Sequence, residues 1–138
     1  MPKFAFRLER LLKRRAALES EAKETFLMAR ARRIAEEAKK DALPARRAAL
    51  LQQPIFDLAD RLNLQAALQR VDDHERLLDL TIADLQSEED SLQAAWLQAR
   101  RDLQVLEKLR ERAYHEFERE VARSEQRALD EWAVLRRA

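Results

Sequence analysis

The chain has 138 residues, a net charge of +1, three prolines, and neither glycine nor cysteine. Ala (24), Leu (23), Glu (16) and Lys plus Arg (27) account for 90 positions, a composition of strong helix formers that predicts coiled coil or long helix. Phosphate-cradling loops and nucleophile elbows generally need glycine, and disulfides and thiolate zinc sites need cysteine, so the expectation is a non-enzymatic, all-α protein in a reducing compartment.

Taken in chain order, the first predicted element is a helix over about residues 5–52. Its seam is weak and runs through Leu8, Leu11, Leu18, Ala22, Thr25 or Phe26, Ala29 and Leu43. Pro44 disfavours helical dihedrals at Leu43 and predicts a kink there. A turn is expected over about 53–57, where Pro54 is followed by Asp57 as the N-cap of the next helix. Nothing interrupts helix formers from Leu58 onward, so a second helix is expected over about 58–136, roughly 120 Å long at 1.5 Å per residue.

That second helix carries the clearest pattern. Leu64, Val71, Leu78, Leu85, Leu92, Ala99, Leu106 and Ala113 recur every seven residues, accompanied by Leu68, Glu75, Ile82, Glu89, Trp96, Leu103, Arg110 and Phe117. A 4-3 repeat makes a narrow apolar stripe that another helix must cover. Residues 1–52 carry fourteen basic and seven acidic side chains, and 53–138 carry thirteen and nineteen. Opposite charge on the two halves favours an antiparallel hairpin formed within one chain. With a tight turn near residue 54, position i would face roughly 108 − i. The last 30 or so residues would then overhang, and Leu106, Ala113 and Phe117 would need a cover from elsewhere.

Chemistry-bearing groups are sparse. His74 and His115 lie 41 residues apart and cannot share a site on one rod, while Asp72-Asp73 and Glu88-Glu89-Asp90 read as solvated helix faces. Basic runs at Lys13-Arg14-Arg15, Arg30–Arg33 and Arg46-Arg47 are interleaved with acids, which argues against nucleic acid. No apolar run reaches the roughly 18 residues of a membrane span, and the start lacks the features of a secretory signal. The expectation is a cytoplasmic protein without catalytic, cofactor or metal site.

The opening Phe4-Ala-Phe6-Arg7-Leu8-Glu-Arg-Leu11-Leu12 is amphipathic and suited to a membrane surface or another protein. Together with Trp96 and the ending Glu125-Gln126-Arg-Ala-Leu129-Asp130-Glu131-Trp132-Ala133, it resembles the FliJ family across essentially the whole chain. These are coiled-coil stalk proteins of the bacterial flagellar type III export apparatus, with relatives in injectisomes. The resemblance implies a long antiparallel two-helix coiled coil with an overhanging C-terminal helix, similar to the central stalk of rotary ATP synthases. It also implies partners: the export ATPase hexamer, the cytoplasmic domain of the export gate, and export chaperones, with peripheral attachment at the inner membrane through those proteins. Carried onto this chain, the ATPase-binding residues are Phe4, Phe6, Leu8, Leu11, Leu12, Glu125, Gln126, Leu129, Asp130, Glu131 and Trp132. Ile55, Phe56, Leu58, Leu62 and Leu64, apolar residues near the turn, are the candidates for the gate. A generic coiled-coil scaffold, an export chaperone or the equivalent injectisome stalk has the same composition and is the alternative.

Overall fold

Proline decides where these helices end. In the computed structural model, which describes residues 2–137, α1 spans Glu9–Asp41, α2 Leu43–Leu51 and α3 Leu58–Arg137. Among the described residues there is no strand. The expected first helix thus begins four residues later than Ala5, because Pro2–Phe6 is irregular. It divides at Ala42 because Pro44 in the first turn of α2 supplies no N–H. The break is mild: Ala42 keeps helical dihedrals (φ −79°, ψ −16°), and Arg46 N–H still donates to its carbonyl at 3.3 Å.

The start of α3 is built by a reciprocal cap. Asp57 Oδ1 accepts the Asp60 N–H at 2.8 Å, and Asp60 Oδ2 accepts the Phe56 N–H at 3.0 Å, so two backbone donors at the helix entrance are satisfied by the two carboxylates.

The chain divides into two units, Ala22–Trp96 and Met1–Glu21 with Leu97–Ala138. In the first, α1 and α2 run antiparallel to α3. Leu43, Val71 and Leu78 form its buried core, with Leu50 and Ile82 against it. Phe26 stacks on Trp96 with centroids 5.5 Å apart and planes inclined by 17°, and the fully buried Ala29 lies one turn further along α1. In the second unit, Leu106 is buried, and Phe4 sits edge-on to Tyr114 at 5.2 Å and tilted on Phe117 at 5.5 Å.

The α3 stripe forms the seam expected of it, every one of its apolar positions being buried or half-buried. The α1 seam differs. Leu11 and Leu18 are exposed, and the inward positions are Leu8, Leu12, Arg15 and Glu19 in one unit, and Ala22, Phe26, Ala29, Arg33, Glu36, Lys40, Leu43, Arg47 and Leu50 in the other. Spacing of three and four is kept throughout, but six of these thirteen are charged. Four of them are held inward because α3 offers them opposite charges, whereas Glu36 pairs with Lys39 on its own helix at 2.9 Å. Arg33 forks onto Glu89, Arg47 reaches Asp72 and, at 3.3 Å, Glu75, Lys40 meets Asp79, and Arg15 meets Asp102 at 3.5 Å. Each polar interruption of the α3 stripe is therefore answered, Glu75 by Arg47, Glu89 by Arg33, and Arg110 by Glu9 at 3.0 Å.

Register also departs from expectation. Facing residue numbers add to 119 for Lys40–Asp79 and 122 for Phe26–Trp96 in one unit, and to 119 for Glu9–Arg110 in the other, rather than to 108. The reason is the connection between α2 and α3. Gln53, Pro54 and Ile55 line one hollow with Asp60, Asn63, Leu64 and Ala67, so the segment runs alongside the first turns of α3 instead of turning tightly. A non-helical residue advances about 3.3 Å against 1.5 Å in a helix. Past Gln52, which keeps helical dihedrals, the five residues Gln53–Asp57 thus match the length of about eleven helical ones. In consequence Leu106, Ala113 and Phe117 are covered by the chain's own N-terminal segment. Val121 is still half-buried, and the uncovered part of α3 runs from Ala122 to Arg137, 16 residues.

Candidate functional site

Helical hairpins offer partners their ends and outward faces, so the candidate surfaces are the N-terminal opening, the α3 tail and the α2–α3 connection. Among the described residues no three His, Asp or Glu side chains are grouped to hold a metal ion, and no helix is long and apolar enough to cross a membrane.

The opening is largely occupied within the chain. Phe4 lies between Tyr114 and Phe117, and the Arg110 guanidinium covers its ring at 5.5 Å, a cation–π arrangement. The Tyr114 hydroxyl bonds to Glu118, which holds its pKa above the ordinary 10.0. Phe6, Leu8 and Leu12 are half-buried, and Leu11 is exposed. Leu8 and Leu12 belong to the seam, whereas Leu11 projects beside it.

The tail is different. From Ala122 to Arg137 every residue is exposed, including Glu125, Gln126, Leu129, Asp130, Glu131 and Trp132. Leu129 is 60 % and Trp132 57 % exposed, large values for apolar side chains with no neighbouring helix over them. Arg136 stacks on Trp132 at 4.9 Å, and Gln126 donates to Asp130 at 3.0 Å. Val134 and Leu135, which the sequence reading did not single out, line a surface hollow with Asp130 and Glu131. Their signal was present: Leu135 follows Trp132 and Ala128 at helical spacing. The opening and the tail do not form one surface. Phe117, which touches Phe4, lies fifteen residues before Trp132 on the same helix, a separation of roughly 22 Å.

At the connection, Ile55, Phe56, Leu58 and Leu62 are exposed, Phe56 to 85 %. Leu64 is half-buried in the seam and lines the hollow with Ile55. Leu51, at the end of α2, is a further exposed apolar residue of this region.

A family model described as "Flagellar FliJ protein" matches residues 4–138. No curated protein matches the chain, and no solved structure does.

Proposed function

Because the chain belongs to the FliJ family, and is therefore a coiled-coil protein related to flagellar export, we propose that it is a non-enzymatic coupling stalk of the flagellar type III export apparatus. In this reading the α3 tail binds the hexameric export ATPase, and the α2–α3 connection contacts the cytoplasmic domain of the export gate. The observation that carries it is the contrast along α3: the stripe is covered by α1 and the N-terminal segment up to Phe117, and the apolar residues beyond it, Leu129, Trp132 and Leu135, are bare.

A stalk needs no active site. It needs stiffness and two ends that recognise different partners. Helix without glycine supplies the first. The second is supported by two dissimilar apolar surfaces, one on a single helix at the tail and the other on an irregular segment around Phe56. Attachment at the inner membrane then runs through protein partners.

The test is co-purification with the export ATPase and measurement of its hydrolysis. Leu129→Ala with Trp132→Ala should weaken association and any stimulation of turnover, while helicity stays near wild type because neither residue lies under α1. Unchanged binding and stimulation by that variant would reject the tail as the ATPase site.

A further inference from the structure

The answered interruptions of the α3 stripe carry a consequence for the tail. Glu75, Glu89 and Arg110 each face an opposite charge supplied by the chain itself. Beyond Phe117 the stripe continues at helical spacing through Val121, Glu125, Ala128, Trp132 and Leu135, with Leu129 alongside. Glu125 is the interruption in this stretch, and among the described residues it has no ion pair or hydrogen bond. Three successive steps of four, Ala113 to Phe117 to Val121 to Glu125, shift the line by one residue from the strict seven-residue repeat, but it stays on one face of α3, half-buried at Val121 and without a covering helix from Ala122 onward.

We propose that the tail accepts one helix of another protein, which lays apolar side chains on Val121, Ala128, Trp132 and Leu135 and sets a lysine or arginine against Glu125. A helix is the matching shape because a stripe of three-four spacing takes knobs from a facing helix, as it does upstream under α1. A second copy of the chain is a poor occupant. Parallel tails in register would set Glu125 against Glu125, a like-charge pair across the seam that disfavours self-pairing. The inference deepens the ATPase reading, on which the identity of the partner rests, whereas the charge requirement stands on the seam alone.

Two synthetic helical peptides of about 20 residues test it, alike in their apolar stripe and differing only in Arg or Glu at the central seam position. Binding of each to the full-length protein is read by fluorescence anisotropy. The Arg peptide should bind wild type about tenfold more tightly or better, Glu125→Arg should invert the preference, and Leu129→Ala with Trp132→Ala should abolish binding of both. Equal binding of the two peptides, a preference that survives Glu125→Arg, or dimerisation through the tail in sedimentation velocity would overturn the proposal. The same Glu125→Arg variant is then mixed with purified export ATPase. Weaker association supports the charge requirement at that partner. Peptide preferences as expected, beside an ATPase indifferent to every tail variant, would uphold the docking chemistry and reject the ATPase as its owner.

Discussion

Arg33 of α1 holds Glu89 of α3 with a two-toothed grip, Nε and Nη2 donating to the two carboxylate oxygens, and Nη1 reaching Glu37 on its own helix at 2.9 Å. Glu89 is 6 % exposed, so this pair lies inside the seam. A buried pair contributes less to net stability than to specificity, because desolvation offsets much of the attraction. Here it specifies register. Sliding α1 by one heptad would put Arg33 against Ile82 with Phe26 facing Glu89, or Arg33 against Trp96 with Lys40 facing Glu89, so either slide sets the guanidinium on an apolar residue.

Glu89→Ala should therefore destabilise the hairpin more than Glu88→Ala, since Glu88 pairs with Arg32 at 4.0 Å in the open and exposed pairs contribute little. Arg33→Glu combined with Glu89→Arg should recover much of the loss. Thermal melts of the three variants beside wild type check this, and equal melting temperatures for Glu88→Ala and Glu89→Ala would remove the pair from the account.

Acid should act through the same carboxylate. The Arg33 hydrogen bond and charge hold the Glu89 pKa below its ordinary value of 4.5. The folded state therefore binds a proton there less readily than the unfolded chain, and the stability it contributes is present above that ordinary value and lost as pH falls through the folded one. Melting temperature followed from about pH 6 to about pH 3 should fall more steeply for wild type than for Glu89→Gln. Parallel curves would assign acid sensitivity to other carboxylates.

Apolar layers supply the cohesion. Leu92→Asp puts a carboxylate into the half-buried apolar stripe of α3, a cost of several kcal/mol, and Phe26→Ala removes the ring stacked on Trp96, a loss of about 3 kcal/mol. Helical content and melting temperature should fall together in both. A neutral Leu92→Asp would mean that the stripe is not paired with α1 in solution.

Phe4 is expected to be a local clasp. Phe4→Ala uncovers Tyr114 and Phe117 and should speed amide exchange in the first two turns of α1 and around residue 114. The region of Leu43 and Leu78 should be unaffected, since it has its own core. Uniformly faster exchange throughout, or none at all, would contradict that role.

The long stripe of α3, the mild break before Pro44 and the cap at Asp57 were legible because each is a local pattern. The α1 seam was not. Arg15, Arg33, Lys40 and Arg47 read as solvent-facing until their partners on α3 are known, and Leu11 and Leu18 looked like seam residues for want of them. Register failed for a related reason, since no local signal says that the residues around Pro54 run along α3 instead of turning tightly. Of the candidate partner surfaces, the tail is exposed as expected but is shorter than the 30 or so residues of the expected overhang, whereas Phe4 looked free for a partner because its contacts with Tyr114 and Phe117 are more than a hundred residues distant.

The most direct test replaces Trp132, and separately Phe56, by a photo-crosslinking phenylalanine and irradiates each protein in the presence of the export ATPase and the cytoplasmic domain of the export gate. A tail-bound ATPase predicts a covalent adduct with the ATPase from position 132 and none from position 56. Adducts with the ATPase from position 56 alone would contradict the account, because the connection and not the tail would then be the end that enters the ring.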